Sequence, residues 1–334
     1  MLKQFTTTLA LCALTATATL PAQAETLILY SAQHPQTVKS LANDFQKLTG
    51  INVKIRSGEG PAMTAQLVAE GKATPADVYL ASNAPELIQL EEKGLLNAVA
   101  PDTLATIPAQ YNSGHGQWVG VMARENVLVY NLKLANASNM PASLMDLAQP
   151  AWKGKLAIAP SDGDFLPLVS AVLATHGEPA TLAWLKGLRS NAQTFDDNEG
   201  VVAAVNRGAV AVGIINSYYW ARLKTELGDK GIFSALHHFG NGDVGALINV
   251  CGAGVLKSAK HADAAQKFLA YLVSERAQSL FASNSITYEY PLRPGVASAS
   301  LLKPFAELSP PALTVEKLGD NTQPARLLRA AGLL

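Results

Sequence analysis

From residue 25 onward, short apolar runs alternate with amphipathic stretches, and the hydrophobic period switches between that of strands and that of helices. TLILYS (26–31) reads as a strand. Pro35 then opens a helix in which Val38, Leu41, Phe45 and Leu48 recur at helical spacing until Gly50. INVKI (51–55) alternates as a strand, SGEGP is a turn, and MTAQLVAEG is helical. ADVYLAS (76–82) and APELIQLEEKG (84–94) add another strand and helix. This βαβαβα order predicts a mainly parallel sheet with helices on both faces. WVGVMARENVLVYNLK (118–133) holds two strand-like pieces suited to a crossing between domains. A second series follows, with strands at LAIAP (156–160), QTFDD (193–197) and AVAVGIIN (209–216) separated by the helical stretches DFLPLVSAVLATHG and EGVVAAVNRG. GALINVCGAGVL (245–256) returns the chain to the first series, ahead of one long helix over 263–282.

The predicted fold class is therefore α/β, with two lobes built on mainly parallel sheets and a ligand cleft between them. Lobe 1 is expected to comprise 25–124 plus 249–299, and lobe 2 to comprise 125–248 plus 300–334. Residues 1–24 carry one early lysine, an apolar stretch and an Ala22-Gln23-Ala24 ending, which predicts a secretory signal peptide cleaved before Glu25. No later segment offers the ~20 uninterrupted apolar residues of a membrane span. Only Cys251 follows the signal, so no intrachain disulfide is expected and stability must come from core burial. The 26 Lys and Arg balance 26 Asp and Glu, charged residues make up 16% of the chain, and no block of like charge occurs. Nucleic acid is not an expected partner.

The most informative chemistry is Tyr218-Tyr219 within AVAVGIINSYYWARL (211–225). Adjacent residues inside a strand face opposite ways, so two phenols share a site only where the strand stops. Ser217 is a suitable N-cap, which would put both tyrosines in a first helical turn at the carboxyl end of a strand, where open α/β sheets bind ligands. Ferric iron is a hard cation that favours anionic oxygen, and a bound cation promotes ionisation of a phenol. The competing reading is a packed aromatic edge of the core. His34, before Pro35 at a strand-to-helix loop of the first lobe, is either an ordinary imidazole near a helix start or a partner to the tyrosines across the cleft. His237-His238 precedes a Gly-Asn-Gly segment and reads as a solvated loop.

Several segments carry a resemblance: LYSAQHPQTVKSLANDFQKLTGINV, GEGPAMTAQLVAEG, PADVYLASNAPEL, RENVLVYN, INSYYWARL and YEYPLRPGV (288–296). Over nearly the whole chain after residue 24 the sequence resembles the periplasmic ferric-ion-binding proteins that feed ABC transporters, within the type II periplasmic binding fold. The resemblance implies Fe(III) as cargo, with or without a synergistic anion or a chelator such as citrate. It also implies an inner-membrane ABC permease as partner, a periplasmic location and a monomer. The family's paired tyrosine ligands fall on Tyr218 and Tyr219, and its histidine ligand falls on His34.

Departures from the family pattern are concentrated in two places. A glutamate ligand common in the family is replaced by Ser82, followed by Asn83. The family's anion-binding Ser-Gly-Ala loop reads Ser161-Asp162-Gly163-Asp164, where helix-start amides favour an anion and two carboxylates repel one. Phe165 stands where some relatives bring a tyrosine, and it cannot ligate. Two explanations remain open: Asp162 or Asp164 supplies the missing anionic ligand, or iron is held with water, an anion or a chelator. Asn198 and Asn216 match family asparagines that hydrogen-bond the anion; turn and cap chemistry explains them equally well.

Two other functions compete. A receptor of the same fold for an organic cation such as thiamine or a polyamine would use the aromatic faces with Asp162, Asp164, Asp196 and Asp197. A periplasmic enzyme finds no support in motifs, since G-x-S-x-G, H-E-x-x-H, P-loop and C-x-x-C patterns do not occur.

Overall fold

A computed structural model describes residues 25–282 and 287–334; the predicted signal peptide over 1–24 lies outside them. The first series comprises β1 (Thr26–Ser31), α1 (Pro35–Thr49), β2 (Asn52–Ser57), α2 (Gly60–Glu70), β3 (Val78–Leu80), α3 (Ala84–Glu92) and the short α4 (Pro101–Leu104). The long strand β4 (Val119–Asn131) leads into β5 (Leu156–Ile158), α5 (Phe165–Asn191), β6 (Ala192–Thr194), α6 (Asn198–Asn206), β7 (Val212–Asn216), α7 (Ser217–Gly231) and β8 (Ser234–His237). The chain closes with β9 (Ile248–Val255), α8 (Ala262–Leu272), α9 (Glu275–Ala282), β10 (Tyr290–Pro291) and α10 (Thr322–Ala330).

Local chemistry sets the ends of the elements that matter for the cleft. Pro35 occupies the first turn of α1, where its missing N–H costs nothing, and Gly50 ends the helix in the left-handed conformation at φ 75°. α1 buries Val38, Leu41 and Phe45, three of the four positions read from its period, while Leu48 is exposed. α5 is bent at Gly177, whose φ of 77° and ψ of 168° interrupt the helix just before Pro179.

The strands are ordered β2-β1-β3-β9-β4-β7-β5-β6, with β8 and β10 also paired to β4. β1 is parallel to β2 and β3, and β5 is parallel to β6 and β7, as the alternation of strands and helices requires. β9 and β4 run antiparallel to their neighbours in the middle. β4 is the physical connection between the two halves: Val119–Glu125 pair with β9, and Asn126–Tyr130 pair with β7. One hydrophobic cluster gathers Leu27, Leu29, Val78, Trp118 and Phe268 around the first half, and another gathers Leu156, Leu168, Trp184, Leu188 and Leu328 around the second. No helix among the described residues is long and apolar enough to cross a membrane.

Three local expectations are corrected. The two strand-like pieces of 118–133 form one continuous strand with a register irregularity between Gly120 and Met122, because both pieces find partners along their whole length. The single helix expected over 263–282 is two, α8 and α9, separated at Val273-Ser274, where Ser274 accepts the Ala277 N–H through its hydroxyl. His237 belongs to β8, and His238 is only partly exposed, its Nδ1 lying 2.9 Å from a carboxylate oxygen of the buried Glu125.

Gly120 shows how tightly the crossing strand is packed. A Cβ added there would lie 2.4 Å from the Tyr111 carbonyl oxygen and 3.0 Å from Leu292 Cδ1, and the first of these is backbone that cannot swing aside. Gly120→Ala is therefore expected to destabilise the protein by about 1–3 kcal/mol in urea unfolding, the usual cost of overpacking; unchanged stability would show that the strand gives way freely.

Candidate functional site

β7 ends at Asn216 and α7 begins at Ser217, so the polypeptide turns just before Tyr218-Tyr219. Asn216, with an extended backbone, occupies the N-cap, and Ser217 is already helical; this corrects the expected cap by one residue. The turn brings the two phenols together: their rings are 4.0 Å apart between centroids, and both hydroxyls donate to the same atom, Asp164 Oδ2, at 3.3 Å from Tyr218 and 3.2 Å from Tyr219. His34, from the β1–α1 loop of the other sheet half, places Nε2 3.2 Å from the Tyr218 hydroxyl.

These groups open on a cleft of about 680 Å³ whose lining includes Ser82, Ser161, Asp162, Gly163 and Asp164 together with His34 and both tyrosines. The remaining predicted residues lie behind that surface. Asn83 donates to the Gly163 carbonyl oxygen at 3.4 Å, an interaction that joins the two walls. Asn198 gives both its N–H, at 3.0 Å, and its Nδ2, at 2.7 Å, to Asp162 Oδ2. Asn216 is buried, and neither polar atom of its amide has a hydrogen-bond partner. Phe165 stacks on Trp184 in the core of the second half. Another cavity, of about 340 Å³, is lined mainly by Pro310–Val315 with Tyr111, Leu247 and Leu318 and has no carboxylate or histidine in its lining.

Beneath the tyrosines lies a buried charge cluster that sequence reasoning did not assign. Arg124, 2% exposed on β4, donates from Nη1 to Asp164 at 2.5 Å and from Nε to Glu289 at 2.7 Å. Its guanidinium carbon also sits 5.4 Å from the centre of the Tyr218 ring. Glu289 accepts in addition from Gln33 Nε2 at 3.1 Å, and Gln33 Oε1 accepts the His34 N–H at 3.0 Å. The histidine loop and the tyrosine helix are thus tied to one guanidinium from opposite sides. The signal available in the sequence was a charged pair, Arg124-Glu125, interrupting an apolar strand.

Electrostatics make the site reluctant to ionise without a cation. Burial, followed by the Asp164 carboxylate, pushes the Tyr218 and Tyr219 phenols well above their ordinary range. Burial lowers His34, which favours the neutral imidazole able to present a lone pair. Arg124 is raised despite its burial, because Asp164 and Glu289 surround it. Among the described residues no three His, Cys, Asp or Glu side chains are grouped to hold a metal ion by themselves.

The model of a bacterial extracellular solute-binding protein family matches residues 27–284. The chain belongs to that family. This solute-binding protein is 38% identical to an Fe(3+)-binding periplasmic protein of Serratia marcescens over 308 residues, which cover 92% of this chain and 90% of the relative. It is 33% identical to the major ferric iron-binding protein of Neisseria meningitidis over 329 residues, covering 97% and 98%. Iron-bound HitA from Pseudomonas aeruginosa has the same fold with a TM-score of 0.89 and 42% identity, over 92% of this chain and all 100% of the other. A FutA protein of Trichodesmium in complex with iron and citrate follows at a TM-score of 0.81 and 32% identity, covering 92% and 100%. The two-lobed fold and the resemblance to periplasmic ferric-ion-binding proteins read from the sequence are both borne out.

Asp162 keeps its proton to a higher pH than an ordinary aspartate. Burial and the neighbouring Asp164 carboxylate raise it to about 6, so between its unfolded value of roughly 4 and that point the folded state holds the extra proton. Stability of the metal-free protein must then fall as pH rises through that window, by at most about 3 kcal/mol from this group. Asp162→Asn is expected to flatten the decline when urea unfolding is measured between pH 4.5 and 7; an identical decline in both proteins would contradict the assignment.

Proposed function

We propose that this solute-binding protein is the periplasmic receptor of an iron(III) ABC transporter and holds ferric iron through His34, Tyr218, Tyr219 and Asp164. The observation that carries this reading is the convergence of both phenol hydroxyls on one Asp164 oxygen, with His34 Nε2 beside them. A hard trivalent cation placed there would replace the phenolic protons, and the carboxylate already poised at both hydroxyls would supply the anionic oxygen that Ser82 lacks. Of the two aspartates considered, Asp164 is the one that touches the tyrosines; Asp162 is held by Asn198 and supports it.

Relatives named for ferric iron along nearly the whole chain support the same cargo. The export signal over 1–24, the periplasmic location, docking of a monomer on an inner-membrane permease, and the division into 25–124 plus 249–299 and 125–248 plus 300–334 complete the reading. The division is supported by the change of β4 partners at Glu125–Asn126. Since His34 and the tyrosines come from different sheet halves, a bound ion would favour the closed arrangement by its differential affinity for it. No bond of the cargo is broken, so the protein binds and delivers without turnover.

Titration of metal-free protein with ferric iron, followed by visible absorption, tests this directly. A one-to-one phenolate-to-iron band is expected, and Tyr218→Phe and Tyr219→Phe should each weaken binding by more than about tenfold. No band in the wild-type chain, with thermal stabilisation by thiamine or a polyamine instead, would transfer the site to an organic cation.

A further inference from the structure

We infer that the end of the second half remote from the cleft is a docking surface for an anionic phospholipid bilayer. Strand directions locate it. β5 and β7 are parallel, and the cleft residues Ser161–Asp164 and Tyr218-Tyr219 follow their carboxyl ends. At their amino ends the chain presents a different chemistry. β4, antiparallel to β7, finishes there at Asn131, whose N–H donates to the Ala211 carbonyl oxygen at 2.9 Å. β8 starts beside it, and the Leu132 N–H donates to the Phe233 carbonyl oxygen at 2.9 Å. Leu132 and Leu134 are each 55% exposed and Phe233 is 47% exposed. These are three of the seven large apolar side chains exposed among the described residues, so such exposure gathers at this end. A groove of about 460 Å³ runs beside the leucines, with Met140 and Trp152 in its lining and Lys133 and Lys155 among its walls.

Charge decides the occupant. Segments 131–140, 150–155, 205–211 and 231–234, which build this end, contain no Asp or Glu. They contribute the exposed Lys133, Lys153, Lys155 and Arg207, and among the described residues none of these four forms a salt bridge. Lys133 Nζ lies 5.7 Å from the centre of the Phe233 ring, so cation and apolar surface are interleaved. The acidic residues nearest to Phe233 along the chain, Glu226 and Asp229, are accompanied by Lys224 and Lys230, and Asp229 is held by Lys224 at 3.6 Å. The chain as a whole is neutral, so this positive charge is a local concentration. A second copy pairing through the same end would cover the leucines but set lysines against lysines. A bilayer with anionic headgroups meets both features, phosphates to the cations and acyl chains to the apolar side chains. No helix among the described residues is long and apolar enough to span it, so the association is peripheral, and the cleft at the other ends of β5 and β7 stays open to solvent.

Vesicle flotation tests this with the chain from Glu25 onward, because an apolar leader would bind lipid by itself. Vesicles of phosphatidylcholine alone are compared with vesicles that also contain phosphatidylglycerol. Binding is expected only with phosphatidylglycerol, and it should fall as salt is raised. Lys133→Glu with Lys155→Glu, and separately Leu132→Ser with Leu134→Ser, should each weaken binding by at least about tenfold. Thermal unfolding should not change, since all four side chains are exposed. Lys54→Glu with Lys72→Glu makes the same charge change at exposed positions of the first half and should leave binding within about twofold. No binding to phosphatidylglycerol vesicles, unchanged affinity in either variant of the surface, or an equal loss in the Lys54 and Lys72 variant overturns the inference. So does a dimer in solution that the leucine variant abolishes, or retention on immobilised polyglutamate without vesicle binding, which would give the surface to an acidic polypeptide.

Discussion

One guanidinium, that of Arg124, holds the two sides of the cleft in register. It is almost completely buried, and its charge is tolerated there because Asp164 and Glu289 lie within 2.5 and 2.7 Å. Removing one partner from such a group typically costs about 3–5 kcal/mol, since the remaining charge is stranded in a poorly solvated place. Through Asp164 the guanidinium fixes both tyrosines, and through Glu289 and Gln33 it fixes the backbone of His34. The cluster of one positive and two negative groups leaves a deficit of positive charge beside two reluctant phenols, and a multivalent cation answers that deficit.

The location of Arg124 on β4 gives this arrangement its mechanical meaning. β4 is shared by both halves of the sheet, changing partners from β9 to β7 one residue beyond Arg124. Cross-cleft contacts depend on the halves being close: His34 meets Tyr218, and Asn83 meets the Gly163 carbonyl. Opening about β4 would part those contacts while leaving Arg124 in its strand. On the proposed ferric reading, binding would favour closure by as much as the closed arrangement better satisfies the ion.

Much of this was legible in the sequence because it is local. The β1–α1 and β7–α7 junctions follow from periodicity, Pro35 and the break after Ile215, and they deliver His34 and Tyr218-Tyr219 to the cleft. The departure from family pattern at Asp162 and Asp164 was also visible as two carboxylates at a helix start. What the sequence concealed is long-range pairing. Arg124 and Glu289 are 165 positions apart, and each sits in a segment quoted for its resemblance without a role of its own. Only the sheet brings them together. His238 was misread for the same reason, since its buried partner Glu125 is 113 positions away. Asn216, matched through the resemblance to an anion-contacting asparagine and equally readable as cap chemistry, is buried with neither polar atom of its amide partnered, which its local sequence did not foretell.

The central claim is that iron sits where the two phenols, His34 and Asp164 converge. The most direct measurement is a crystal structure of the iron-loaded protein with anomalous diffraction recorded at the iron absorption edge. The account predicts a single anomalous peak within bonding distance of both Tyr hydroxyl oxygens, His34 Nε2 and an Asp164 carboxylate oxygen, with Arg124 still between Asp164 and Glu289. A peak elsewhere in the cleft, or one in which Asp164 has swung away from the metal, would contradict it.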